Sequence, residues 1–125
     1  MASQALSVLL VDDDPAMRDM FQMVMDHHHV ELITIEDAET ALTYLAQNQP
    51  NVIVLDLFLP GLDGYQMLRQ MRKKSLAPDA RVIATTAYYT ADTEQETLSR
   101  GFDGYLPKPI DANGIVPYLE SLIQD

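Results

Sequence analysis

Asp12, Asp13, Asp56, Thr86 and Lys108 each stand at or just beyond the end of a short apolar run, and together they offer three carboxylates, a hydroxyl and an ammonium. Taken singly, each has an ordinary reading: Asp12 to Asp14 as a helix-capping run, Thr86 as a strand end, Lys108 as a surface charge. Brought together they mean something else, because neighbouring carboxylates repel and raise one another's pKa values unless a cation lies among them. With oxygen donors alone that cation would be hard, Mg2+ or Mn2+ rather than zinc or copper. A carboxylate beside such an ion is a nucleophile toward phosphorus: the cation neutralises the incoming phosphoryl group while a hydroxyl and an ammonium bind its other oxygens. Asp56 follows the apolar run Val52 to Leu55, so a rigid strand would hold it, and it is the best candidate nucleophile.

For these residues to meet, the runs before them must be parallel strands of one open sheet, whose ligand sites lie at the carboxyl ends of the strands. The sequence fits that demand. Apolar runs at Leu6 to Val11, Glu31 to Ile35, Val52 to Leu55, Arg81 to Thr85 and Gly104 to Leu106 alternate with stretches of helical periodicity, the mark of repeated βα units. The first, third and fourth runs are the most apolar and are expected at the centre of the sheet.

Asp14 followed by Pro15 announces the first helix, with Met17, Met20, Phe21 and Val24 inward. Asp37 is placed to cap a second helix whose inner face is Ala38, Ala41, Leu42 and Leu45. Asp63 with Gln66 resembles a capping box for a third, carrying Met67, Leu68 and Met71. The fourth helix, about Ala91 to Arg100, is mostly polar, with Leu98 its only large apolar residue, and is expected to be the least firmly packed. In the fifth, Ile115, Val116, Leu119, Leu122 and Ile123 recur at helical spacing, and Pro117 requires a start near Asn113 or Gly114.

The chain of 125 residues fits one domain, taken as 1–125, with an apolar share of 47% that excludes a disordered chain. Without cysteine it has no disulfide, thiolate ligand or thiol nucleophile. A formal net charge of -11 disfavours direct contact with nucleic acid or anionic lipid. No run approaches the roughly 20 apolar residues that span a bilayer, and the N-terminus lacks the flank and h-region of a signal peptide. A chain starting near Met1 and, by default, a cytoplasmic location are expected.

In its motifs the sequence resembles the receiver domains of two-component response regulators, the chemotaxis regulators among them. The matching stretches are VDDDP around Asp12, LDLFLPGLDG around Asp56, the TA pair at Thr86 and YLPKP around Lys108, in an order and spacing that run through essentially the whole chain. The resemblance implies a flavodoxin-like (βα)5 doubly wound sheet of strand order 2-1-3-4-5. It also implies that Asp56 accepts phosphate from a histidine of a sensor kinase or histidine phosphotransfer protein. Mg2+ would be held by Asp13 directly, Asp12 largely through water, Asp56, and the backbone carbonyl of Phe58. Thr86 and Lys108 would bind the phosphoryl oxygens. Tyr105 matches the switch aromatic, which turns as Thr86 moves and remodels the surface of helix four, strand five and helix five for a downstream protein or a fused output domain. The Lys108–Pro109 bond is expected to be cis. Such a domain is a switch rather than an enzyme.

Phe58 and Tyr88 are bulkier than their counterparts in fast-cycling members, and both are placed to cover the approach of hydrolytic water, which leads us to expect a long-lived aspartyl phosphate. Pro117 and the polar fourth helix are further departures, on the surface that relatives use for output. His27 to His29 are consecutive and share no helix face, so helix-end charge or solvation accounts for them better than a metal tract. Two rival classes are a phosphorylation-independent interaction module of the same fold, which would have lost acidic-pair or lysine residues, and an aspartate-nucleophile phosphatase, which would want DxD where this chain has Asp56, Leu57 and Phe58. A flavin site is weaker still, since no hydroxyl-rich loop follows the first strand.

Overall fold

The computed structural model describes residues 5–123. The five strands are β1 (Ser7–Val11), β2 (Glu31–Ile35), β3 (Val52–Asp56), β4 (Arg81–Thr86) and β5 (Gly104–Pro107). They form one parallel sheet in the order β2-β1-β3-β4-β5, with the most apolar runs, β1, β3 and β4, at its centre as expected. Alternate strand residues feed two cores. Val8, Leu10, Val52, Val54 and Ile83 face helices α1 (Pro15–His27) and α5 (Ile115–Ile123). Leu9, Val11, Ile53, Leu55, Val82 and Ala84 face α2 (Ala38–Leu45) and α3 (Gly64–Lys73). A strand buried on both sides is apolar except where a polar group is satisfied within the sheet, as the Thr85 hydroxyl is by Leu106 O, which is why these runs lack the polar alternation of a half-exposed strand.

The capping residues act as their spacing predicts. Asp14 accepts from Ala16 N at 3.0 Å and Asp37 from Thr40 N at 2.7 Å. Asp63 accepts from Gln66 N at 2.8 Å while the Gln66 side chain accepts from Asp63 N, also at 2.8 Å, a complete capping box. Gly64 opens α3 tightly against the end of β3: a Cβ there would come within 2.6 Å of the Asp56 carbonyl oxygen and 2.9 Å of Leu57 Cα. The helix therefore abuts the strand directly behind Asp56.

Two helices differ from expectation. Residues 113 and 114 belong to a one-turn 3-10 helix, Ala112–Gly114, and α5 starts only at Ile115. Pro117 is then the third residue of α5, in the first turn, where an N–H has no helical acceptor to lose. The fourth helix, α4 (Thr93–Ser99), is shorter than the polar stretch; Leu98 is exposed, and Thr97 is its buried residue. The Thr97 hydroxyl donates to the Glu94 carbonyl at 2.8 Å, which satisfies it inside the core.

Candidate functional site

The carboxyl edge of the sheet gathers Asp12, Asp13, Asp56, Thr86 and Lys108. Asp56 and Thr86 are the last residues of β3 and β4, one position further into the sheet than the apolar runs indicated, because the backbone ladder continues past them: Leu57 N donates to Thr85 O and Lys108 N to Thr86 O, both at 2.9 Å. Asp12 follows β1 and is completely buried, Asp56 is nearly so, and Asp13 is exposed. Carboxylate oxygens of the three lie within 4.8 Å of one another. Asp12 is held in place by its neighbours, since its Oδ1 accepts from Asp14 N at 2.9 Å and its carbonyl from the Arg18 guanidinium at 2.9 Å. Asp56 Oδ1 accepts from Phe58 N at 3.0 Å.

Lys108 reaches in from the loop after β5, across a cis bond to Pro109. Its Nζ lies 2.9 Å from Asp12 Oδ2 and 3.3 Å from Asp56 Oδ2. The contact to Asp12 is close but off the line of a hydrogen bond, so the buried Oδ2 is left without a directed donor. Burial pulls the Lys108 ammonium down, yet Asp12 and Asp56 together outweigh it and hold its pKa above the ordinary lysine value. Asp56 moves the other way for a carboxylate: burial and, to a lesser extent, the negative charge of Asp12 overcome the Phe58 N–H and Lys108, and its pKa is raised to about 6.

An undirected buried carboxylate oxygen, two further carboxylates within reach and an all-oxygen donor set fit a hard divalent cation. Above the cluster, a cavity of about 250 Å³ is lined by Asp13, Asp14, Asp56, Phe58, Ala87, Tyr88 and Lys108. The Phe58 and Tyr88 rings meet edge to face over it, centroids 5.6 Å apart, and both remain well exposed. Thr86 is buried beneath, its hydroxyl accepting from Tyr88 N at 3.0 Å and donating to Tyr88 O at 3.3 Å. The Tyr105 ring is partly buried against the α2 and α3 core, and its hydroxyl is enclosed with no hydrogen-bond partner among the described residues.

Sequence reasoning therefore found every side chain in the cluster but missed Arg18, which braces the Asp12 backbone and pairs with Glu36 at 3.2 Å. No spacing marks it, since its reach depends on where β2 ends. The three histidines lie at the exposed end of α1, away from the cluster.

Comparison with known proteins agrees with this arrangement. The chain matches the response regulator receiver domain family over residues 8–120. It is 31% identical over 106 residues to an uncharacterised 14.6 kDa protein of Leptolyngbya boryana, covering 85% of this chain and 81% of that one. It is also 31% identical over 117 residues to the response regulator MprA of Mycobacterium sp. (strain KMS), covering 94% of this chain and 50% of that protein. It thus spans about half the length, or less, of the named regulators it matches. The structure of the Francisella response regulator 1452 receiver domain superposes with a TM-score of 0.85 at 27% identity, covering 94% of this chain and 96% of that one. With the family match running through residues 8–120 and the fold shared with a solved receiver domain, the chain belongs to the receiver domains of two-component response regulators.

Proposed function

We propose that Asp56 is the phosphoacceptor of this domain, taking a phosphoryl group from a histidine of a sensor kinase or of a histidine phosphotransfer protein. The N–P bond of the donor breaks as a carboxylate oxygen of Asp56 bonds to phosphorus. Asp12, Asp13, Asp56 and the Phe58 carbonyl would hold Mg2+ or Mn2+, which when bound neutralises charge on the phosphoryl oxygens. Lys108, already poised between Asp12 and Asp56, binds one phosphoryl oxygen, and the Thr86 hydroxyl another. The observation that carries the reading is the meeting of Asp56, Asp12, Asp13 and the Lys108 ammonium at one sheet edge. A wide, mainly apolar cleft beside it, lined by Met17, Met20, Pro109 and Ile110, suits a protein as phosphodonor better than a small molecule.

The switch follows from two groups. Thr86 must leave the Tyr88 backbone to reach a phosphoryl oxygen, which frees the loop before α4. The enclosed Tyr105 hydroxyl has no hydrogen-bond partner among the described residues, so no directed bond from that group holds the ring in its present packing against a second one. The changed surface of α4, β5 and α5 is then read by a downstream protein or a fused output domain. The domain itself acts as a signal carrier and not as an enzyme. A cytoplasmic location is part of the same proposal, as expected of a domain that meets a sensor kinase; separately, no helix among the described residues is long and apolar enough to cross a membrane. Treatment with acetyl phosphate and Mg2+ followed by intact mass measurement tests the assignment. The wild type should gain one phosphoryl group and Asp56→Asn none; a wild type that gains nothing, or a variant that gains as much, overturns it.

A further inference from the structure

Among the described residues β5 is the last strand of the sheet, so amides on its outer side have no neighbouring strand there to bond. The Tyr105 N–H donates instead to the hydroxyl of Tyr118, on α5, at 2.9 Å. Room for that hydroxyl exists because the residue before Tyr105 is glycine: a Cβ on Gly104 would lie 2.5 Å from Tyr118 Oη, 3.0 Å from Leu122 Cδ1 and 3.3 Å from Ile83 Cγ1. A methyl group there is incompatible with the hydroxyl where it now sits. Gly104 and Tyr118 are a matched pair, a bare stretch of strand and a side chain that reaches it from the helix.

Tyr105 is consequently held from two sides. Its ring packs with the α2 and α3 core, while its amide is tied to a residue of the α1 and α5 core. Apolar contacts between packed elements slide by small shear movements, whereas a hydrogen bond weakens steeply with distance and angle. Of the contacts between β5 and α5, the hydrogen bond is the one that a movement of the Tyr105 backbone must either drag along or break.

We propose that the Tyr118 hydroxyl is the link through which a change at Tyr105 reaches α5, which makes Tyr118 a positioning residue of the switch. The proposal rests on the reading of Tyr105 as the switch aromatic. Tyr118→Phe keeps the ring and deletes the hydroxyl. In the variant, the Tyr105 amide should lose hydrogen-exchange protection by about tenfold. With Mg2+ and beryllofluoride, a phosphoryl mimic, amide resonances of β5 and of residues 116–122 should both shift in the wild type. In Tyr118→Phe those of β5 should shift as before and those of 116–122 by a small fraction of the wild-type amount, with the mass gain from acetyl phosphate unchanged. Equal α5 shifts in the two proteins would overturn the link. A wild type in which β5 itself does not respond would instead sink the switch reading, a separate failure. The pairing has its own check: Gly104→Ala should be destabilising, and adding Tyr118→Phe should recover part of the loss. Strictly additive losses would mean that the two residues do not specify each other.

Discussion

The Lys108 ammonium sits between two buried carboxylates, 2.9 Å from Asp12 Oδ2 and 3.3 Å from Asp56 Oδ2, and it is the cation that lets them coexist in the metal-free protein. Removing one member of a buried charged group leaves the others uncompensated. Lys108→Met should therefore lower stability in EDTA by about 2 kcal/mol, less than a fully enclosed pair would lose, because the lysine is partly solvated. A divalent cation in the cluster replaces the missing charge, so millimolar Mg2+ should recover most of the loss. Urea unfolding with EDTA and with Mg2+ measures both effects, and a loss that Mg2+ leaves untouched would contradict the account.

Asp56 shares the cluster but on unfavourable terms, with its pKa raised to about 6 chiefly by burial. Between the ordinary carboxylate pKa near 4 and that value, the folded state binds a proton that the unfolded state does not, so this group's contribution to stability falls as pH rises through the interval. Asn has no such titration. In EDTA, Asp56→Asn should melt a few degrees above the wild type at pH 7.5, and the gap should close as pH is lowered to 5. Thermal unfolding of the two proteins across that range decides it; a gap that is constant or widens toward acid would refute the electrostatic explanation. Mg2+ affinity should weaken over the same interval, since the ion needs the carboxylate form.

Much of this arrangement was readable because the physics that makes a central parallel strand also makes its sequence conspicuous. β1, β3 and β4 are buried on both faces, so their apolar runs are unbroken, and the polar residues at their ends stand out. What stayed hidden depends on tertiary reach. The ladder runs on through Asp56 and Thr86 whatever their polarity, so apolar runs end one residue before the strands do. Leu98 is more apolar than Thr97, yet the face α4 turns inward carries the threonine, whose burial is tolerated because its hydroxyl is satisfied within its own helix. Pro117 signalled a helix start correctly in kind, but a 3-10 turn beforehand moved the α5 start to Ile115. Lys108 was legible as an ammonium brought to this sheet edge, but its pairing with both Asp12 and Asp56 was not, and neither was the match of Tyr118 to Gly104, residues 14 apart that meet only when α5 folds back on β5.

Phe58 and Tyr88 line the cavity over Asp56 and brace one another edge to face. Hydrolysis of an aspartyl phosphate needs a water in line with the P–O bond, and two rings across the mouth of the cavity reduce its access. Phe58→Asn opens the mouth and supplies a polar group that can hold water there. It should speed loss of phosphate on the order of tenfold, equivalent to ~1.4 kcal/mol of barrier. The decay of phosphorylated protein after removal of acetyl phosphate, followed by intact mass, measures this, and an unchanged half-life would show that the rings do not govern access.

The output side of the domain should be mobile for a structural reason. α4 buries only Thr97, lacks a side-chain hydrogen bond at its N-cap and leaves Leu98 in solvent. Its far end is fastened by Arg100, whose guanidinium lies 4.3 Å from the centroid of the Tyr65 ring on α3, while Tyr65 in turn meets Phe102 edge to face. Helices with little buried apolar surface open locally at a fraction of the global unfolding free energy. Amides of α4 should accordingly exchange with deuterium sooner than those of α1 or α3. Tyr65→Leu retains the apolar contact but removes the cation–π interaction, worth about 0.5–1 kcal/mol at an exposed site, so exchange within α4 should quicken two- to fivefold or thereabouts while α1 is unaffected. If α4 proved as protected as α3, or the substitution left its exchange unchanged, Arg100 and Tyr65 would not be what holds this helix to the sheet.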